Sequence, residues 1–415
     1  MKTLFDDTLT RILVCFVLCL GMAKAYAQEC GCTDPRALNY SPSAIVNDGS
    51  CTYPQTTVSP YYSTNLSDTL NGTSGLVFFD DMLFTHNDHN DQSLFQIDTT
   101  DAHIIEQLRF SGIPFQDVED CDHDDLYVYF GDMGNNNSGN RTDLHLLRIL
   151  KSSLYSESPV IDTICFSYSD QTDFTPCSGN ATDFDCEAFV VVGDSIYLFT
   201  KQWTNVHTVL YAMPKTAGTH IAQRKGEYDV NGLVTSACYL PESRQIVLCG
   251  YSKSLQPFVV LLYDYQGTDF FSGNKRKIDM DLQFHQVEAI THYGGCRFFL
   301  TNENISQFGI TIYAKLHKLD LSDYLLPVLP TSLPEAHESL SFDIYPNPAK
   351  NFLRFKGLRF TSGCYEIYNN QGRLVKQGQW EHGLTVLHLD EMTSGLYYFK
   401  VTIGGKTEVK RFVME

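Results

Sequence analysis

Three glutamates, Glu119, Glu187 and Glu288, recur in similar surroundings. Each sits in a short acidic or amide-bearing signal that precedes an apolar segment. The signals are Asp117-Val118-Glu119-Asp120, Asp185-Cys186-Glu187-Ala188-Phe189 and Gln286-Val287-Glu288-Ala289-Ile290. Two further stretches, residues 72–79 and 230–235, have the same form, with Thr73 where a Glu is expected and Asn231 as a neutral member. If such positions converge, their oxygens form a ring that is costly to bury without a cation or water to compensate it. Oxygen-only ligands select Ca²⁺ or Mg²⁺ over zinc. The expected metal ligands are Asp88, Glu119, Asp132, Glu187, Asn231 and Glu288, and the expected cofactor is Ca²⁺.

Other constellations are weaker. His86-Asn87-Asp88-His89-Asn90-Asp91 sets two histidines among carboxylates but lacks a third soft ligand at zinc spacing. It reads as a polar loop, with His86 a candidate ligand contact. Gly131-Asp132-Met133-Gly134-Asn135-Asn136-Asn137 is dense in residues that tolerate positive φ. It is either a tight loop or a rim that contacts ligand through Asn135 and Asn136, with Arg141 and Asp143 as a nearby pair. Lys201 and Trp203 could line a pocket mouth, the indole as a stacking face, or Trp203 could be blade core. Asp122, Asp124 and Asp125 read as a solvated turn. There is no G-x-S-x-G, H-E-x-x-H or phosphate-binding loop. A phosphoesterase would need a basic cluster beside its metal carboxylates, and none is apparent.

These residues need elements to position them. Short runs rich in Val, Ile, Phe and Tyr recur between Gly, Asn and Asp turns, and helical periodicity is hard to find beyond residue 27. This predicts an all-β chain. The signals repeat at roughly 44 to 70 residues, and the shorter spacings suit a four-stranded propeller blade. The expectation is a β-propeller over residues 60–327 with five or six blades, six favoured. On this view the long interval between Glu119 and Glu187 holds another blade or an insertion.

The same region resembles bacterial propellers distantly related to the esterase-like phytase and SdiA-regulated groups. The residues that carry the resemblance are 85–88, 117–120, the distinctive 131–144 stretch, Phe199-Thr200-Lys201 with Trp203, 231–235 and 286–290. Asp88 stands where the family motif ends a strand, and the resemblance alone implies that it faces the ring. Members of these groups differ in activity, and propellers host many functions, so the resemblance names no substrate.

Charge narrows the partners. Residues 55–341 hold 16 Lys/Arg against 37 Asp/Glu, a net of −21, while 342–415 hold 10 against 7. So acidic a surface repels phosphate backbones and anionic lipid heads, and no nucleic-acid partner is expected.

The ends of the chain concern export. Residues 12–22 (ILVCFVLCLGM) follow Arg11 and precede Ala25-Tyr26-Ala27. This predicts a signal peptide over 1–27 read by the Sec translocon, with no integral membrane segment in the mature protein. Cleavage removes Cys15 and Cys19 and leaves eleven cysteines, an odd number. Cys32 and Cys51 are the expected disulfide in an oxidising compartment, and Cys165, Cys177 and Cys186 are close enough for a local bridge. Residues 28–54 resemble a small module of exported surface proteins, through Gly31-Cys32-Thr33-Asp34-Pro35 and Asn47-Asp48-Gly49-Ser50-Cys51. Asp34 and Asp48 read either as turn formers or as Ca²⁺ ligands, the turns favoured.

After a linker at 328–341, residues 342–415 change character. Tyr345-Pro346-Asn347-Pro348, the 365–375 hairpin (YEIYNNQGRLV), Ser394-Gly395-Leu396-Tyr397 and Lys410-Arg411-Phe412-Val413 appear in that order. This resembles the type A C-terminal sorting domain of the type IX secretion system, a small β-sandwich. The residues matching its motifs are Pro346, Asn347, Pro348, Gly372, Gly395, Tyr397, Lys410 and Arg411. The resemblance implies recognition by the type IX machinery, then release or attachment to the outer-membrane surface. The combined expectation is a secreted or surface-displayed, cation-stabilised binding module for an unknown extracellular ligand. The alternatives are a metal-dependent phosphoesterase and a structural surface component.

Overall fold

Two strand patterns alternate in the middle of the chain. Pro257–Tyr263 (PFVVLLY) is apolar throughout, whereas Gly218–Tyr228 (GTHIAQRKGEY) mixes charged and apolar residues. A strand buried on both faces reads as the first, a strand at the solvent edge as the second. The computed structural model bears this out. It describes residues 29–415 apart from 89–90, 111–115, 157, 308, 326–341, 357–361, 382–385, 390–391 and 404–405. All seven residues of Pro257–Tyr263 are buried, and Gly218–Tyr228 is largely exposed. The expected signal peptide and linker lie outside the described residues. Among the described residues there is no α-helix, and no helix is long and apolar enough to cross a membrane.

Among the described residues, five antiparallel sheets of four strands follow one another along the chain, and the fourth gains a parallel edge strand, Thr57–Val58. Their innermost strands are Thr73–Phe79, Val118–His123, Cys186–Val192, Leu233–Leu240 and Val287–Gly294, in blades 1 to 5. Each inner strand contacts the next, and that of blade 5 contacts that of blade 1, which closes the ring. The fold is a β-propeller, and the described residues form five blades, the lower of the two expected counts. The interval between Glu119 and Glu187 contains no extra blade. It contains two laced loops, with Cys177 N donating to Ser138 O at 2.9 Å and Asn180 N to Asn136 O at 2.8 Å. The outer strands of blades 2 and 3, Ile161–Tyr168 and Gly218–Tyr228, pair in parallel and join the two blades into one eight-stranded sheet.

The ring is fastened by its own leading segment. Blade 5 takes its outermost strand, Tyr62–Asn65, from the beginning of the propeller, and it runs antiparallel to Lys315–Asp320. Apolar clusters fill the spaces between neighbouring blades. One joins Phe199 and Leu210 of blade 3 to Ile246, Phe258 and Val260 of blade 4.

The cysteine module docks on blade 4. Cys32 and Cys51 are disulfide-bonded as expected. Asp34 is nearly fully buried, and its carboxylate accepts from Arg36 N at 2.9 Å, Tyr53 OH at 2.9 Å and Tyr263 OH at 2.6 Å. Asp48 accepts from Ser50 N at 3.0 Å. Asp34 thus acts as a turn and docking group, and Asp48 as a turn former. Cys165, Cys177 and Cys186 carry free thiols, against the local bridge considered for them; Cys186 is buried on the inner strand of blade 3, whereas Cys165 is exposed on the outer strand of blade 2.

The C-terminal segment is a seven-strand sandwich. A three-stranded sheet (Asp343–Tyr345, Phe352–Lys356, Val386–His388) faces a four-stranded one (Leu374–Glu381, Ser362–Asn369, Gly395–Ile403, Lys406–Met414). Its core includes Phe342, Leu353, Ile367, Phe399 and Phe412. Asn347 clamps the last strand, accepting from Val413 N at 3.0 Å and donating to Arg411 O at 3.2 Å. Peptide bonds 345–346 and 347–348, which precede Pro346 and Pro348, are cis. Gly372 takes φ +74° in the hairpin turn. Gly395 opens the strand that carries Tyr397, whose hydroxyl donates to Thr393 O at 2.7 Å. Lys410 Nζ lies 5.6 Å from the centre of the Phe342 ring.

Candidate functional site

The inner strands share one irregularity. Each pairs with its neighbour through a register shift of one residue near its N-terminal end. The residues skipped by the ladder are Ser74, Glu119, Glu187, Thr235 and Glu288, one per blade. A bulge re-aims a side chain out of the regular alternation. All five are buried, and their contacts cross between blades. Ser74 Oγ donates to Glu119 O at 2.8 Å, and Thr235 Oγ1 to Val287 O at 2.7 Å.

Glu119, Asp185 and Glu187 each offer a carboxylate oxygen within 4.8 Å of the others. Lys201 follows the second strand of blade 3, and its buried ammonium pairs with Glu187 and stands 3.9 Å from Glu288 Oε2. The structure therefore brings Glu119, Glu187 and Glu288 of blades 2, 3 and 5 into one cluster. Gly134 passes so close that a Cβ there would lie 2.2 Å from Glu119 Oε1 and 2.4 Å from Asp117 Oδ2.

Burial pushes the carboxyls of Glu119, Glu187, Glu288 and Glu303 above the usual range, and neighbouring carboxylates push the same way. Burial would lower the Lys201 ammonium, but the charges of Glu187 and Glu288 hold it well above the ordinary lysine range. It stays positive and offsets part of the negative charge around it.

One position further along the inner strands stand Gly75, Asp120, Ala188, Ser236 and Ala289. Four are small. The fifth, Asp120, is fully buried and spans the centre of the ring. Its carboxylate accepts from Phe189 N of blade 3 at 3.2 Å, and from Ser236 Oγ at 3.0 Å and Ala237 N at 3.4 Å in blade 4. Inner strands carry free edge N–H groups that need acceptors, and Asp120 supplies them.

The other candidates are placed differently. Thr73 is a core residue beside the bulge, hydrogen-bonded to Thr85 Oγ1 at 2.6 Å; the ring position belongs to Ser74. Asn231 lies on an exposed turn at φ +46°, where its carbonyl accepts from Lys277 Nζ at 3.0 Å; Thr235 is the ring member of blade 4. Asp132 is bound to Arg141 at 2.7 Å and accepts from Gln116 N at 2.7 Å, so it braces the loop and stands apart from the cluster. Asp88 lies at the cluster's margin, where its charge raises Glu288 and Glu303.

Asn135 is a buried brace that donates Nδ2 to Phe184 O at 3.1 Å, and Asn136 holds Asn180 N through its carbonyl. His86 is a core histidine edge-on to Phe130, pushed down to about 4 by burial and therefore neutral. Trp203 Nε1 donates to Asp185 Oδ2 at 2.7 Å, and its ring lies 4.8 Å from the Lys201 ammonium. Sequence reading passed over Ser74, Thr235, Asp120, Asp185 and Tyr251. Asp185 had a visible signal, because Asp117-x-Glu119 and Asp185-x-Glu187 share one spacing.

Residues 343–415 match the family described as the secretion system C-terminal sorting domain. No curated protein sequence matches the chain. Among solved structures, an oxidoreductase described as a glucose dehydrogenase, from Thermus thermophilus, is 8% identical, with 62% of this chain and 99% of that one covered and a TM-score of 0.36. The Bombyx mori GH32 β-fructofuranosidase is 11% identical over 87% and 88% of the two chains, TM-score 0.35. The RRP9 WD40 repeats are 9% identical over 64% and 100%, TM-score 0.33. Scores this low carry no argument about function.

Proposed function

We propose that this protein is a binding module, exported by the type IX system, whose propeller axis holds a divalent cation. The sorting tail makes the chain a secreted or cell-surface protein. Deleting residues 342–415 is expected to strand the processed chain in the periplasm, which fractionation and immunoblotting would detect. Equal amounts of full-length and truncated chain outside the cell would remove the tail's role.

The observation that supports a cation is the bulge on the inner strands, which brings Glu119 of blade 2 and Glu187 of blade 3 together beside Asp185. Calcium bonds of 2.3–2.6 Å put opposing ligand oxygens up to about 5 Å apart. The carboxylate oxygens of Glu119, Asp185 and Glu187, within 4.8 Å of one another, fit that span. Their oxygen-only chemistry favours Ca²⁺, with Mg²⁺ the tighter-fitting competitor. Bound there, the ion would compensate the carboxylates that Lys201 does not reach.

A ligand at 100 times its Kd stabilises the folded state by about 2.7 kcal/mol, or roughly 5–10 °C for a domain of this size. Calcium at millimolar concentration is therefore expected to raise the melting temperature by that amount, and Glu119→Gln with Glu187→Gln to abolish the gain. A second reading rests on Lys201, whose ammonium already pairs with Glu187. In that reading the lysine is the ring's own counter-ion. Melting curves that are identical in EDTA, Ca²⁺ and Mg²⁺ would select it over the metal. The phosphoesterase alternative has less support, because Arg141 is tied to Asp132 and Asp143, and Lys201 to Glu187.

A further inference from the structure

A cavity of about 550 Å³ opens beside the axial ring, between the loops of blades 3, 4 and 5, and none of the ring carboxylates lines it. Its volume is in the range of small-molecule sites. Trp203 and Tyr251, the two rings beside the Lys201 ammonium at 4.8 and 5.1 Å, form part of its wall.

Two features have no role in closing the propeller. The first is a hairpin, Ile305–Gln307 and Ile310–Ile312, inserted between the second and third strands of blade 5. Its cross-strand pair Ile305 and Ile312 lines the cavity. The second is backbone strain. Leu255 and Phe284 both line the cavity, both adopt positive φ (+57° and +65°), and Phe284 N donates to Leu255 O at 2.9 Å. Bulky residues are genuine outliers in that region, and such strain clusters at ligand clamps. Here it holds the Phe284 ring 49% exposed at the cavity instead of in a core.

Asn180, Ser252, Ser254 and Gln286 add polar groups to the lining beside these rings. Gln286 donates Nε2 to Tyr251 OH at 3.1 Å. Lys253, exposed at the end of its loop, is the one charged residue among the described residues of the lining. In a region with a net charge of −21, a cation at a cavity with both aromatic and polar walls selects for an anionic group on the ligand.

We propose that this cavity binds a small amphiphile, with its apolar body among Trp203, Tyr251 and Phe284 and a single carboxylate or sulfonate on Lys253. The site does not depend on the axial cation, so the two proposals fail separately.

The probe is 8-anilinonaphthalene-1-sulfonate, added to the folded mature chain in EDTA. The chain has two tryptophans, Trp203 and Trp380, so Trp380→Phe leaves Trp203 as the sole energy donor. One probe per chain is expected, with quenching of Trp203. Lys253→Glu should weaken binding about tenfold. The neutral analogue N-phenyl-1-naphthylamine should bind wild type and Lys253→Glu alike. Phe284→Gly, which suits the positive φ, should weaken both probes about tenfold while the melting temperature stays level or rises by a few degrees. Absent or unsaturable binding, or equal affinity for the sulfonate in Lys253→Glu and Phe284→Gly as in wild type, would overturn the proposal.

Discussion

Replacing Lys201 by Met is expected to lower the melting temperature of the propeller by about 6–20 °C at pH 8, and by less at pH 5. Breaking a buried ion pair by removing one partner costs about 3–5 kcal/mol, and each kcal/mol moves a domain of this size by about 2–4 °C. The pH dependence follows from proton linkage. Glu187 and Glu288 already titrate above their unfolded values, and loss of the ammonium raises them further. In that window the folded chain binds more protons than the unfolded chain, so stability is lost as pH rises through it. As pH falls the carboxyls, raised by burial, take up protons and the missing charge matters less. If the axial site takes calcium, the ion should restore part of the loss at pH 8. Scanning calorimetry at the two pH values checks the result. A deficit of equal size at both would mean that Lys201 acts by packing against Trp203 and Tyr251 and not by its charge.

The second large effect concerns Asp120. Asp120→Ala strands the N–H groups of Phe189 and Ala237 and the hydroxyl of Ser236, and it empties the centre of a layer otherwise built from Gly75, Ala188, Ser236 and Ala289. An unsatisfied buried donor costs about 1–3 kcal/mol, so two or three place the loss at about 3–5 kcal/mol after partial relaxation. Asp120→Asn should lose less than Asp120→Ala, because its carbonyl can keep Phe189 and Ala237 while only the bond from Cys121 N at 3.0 Å is lost to the NH₂ that turns to the Ser236 oxygen. Urea unfolding measures both. An Asp120→Ala variant within about 1 kcal/mol of wild type would show that the bonds across the axis add little to stability.

The sequence made the strands legible because burial on both faces leaves an uninterrupted apolar run, as in Pro257–Tyr263. Glu119, Glu187 and Glu288 were legible because charge stands out against such runs. Their partners Ser74 and Thr235 were not. A bulge is a property of two paired strands, and a one-residue slip shifts the ring position from Thr73 to Ser74 with no trace in composition. Asn231 reads as a neutral ring member, but it serves a left-handed turn. Lys201 could be read as a pocket residue, yet its place against Glu187 depends on how its strand ends. Five and six blades were hard to tell apart for a similar reason, since the loops at 133–144 and 169–185 lengthen one repeat without adding a sheet among the described residues. The tail was the most legible part, because Asn347, Gly372 and Tyr397 each answer a local backbone demand.

The strand that locks blade 5 has a consequence for export. Tyr62–Asn65 meets its partner only when Lys315–Asp320, far along the chain, is available. A chain synthesised from its amino end must hold that strand unmated until almost all of the propeller has been made. Little chain then separates the locking partner from the sorting tail. The circle can therefore be completed only as the tail itself emerges, so a chain that presents its address is one whose body is ready to close.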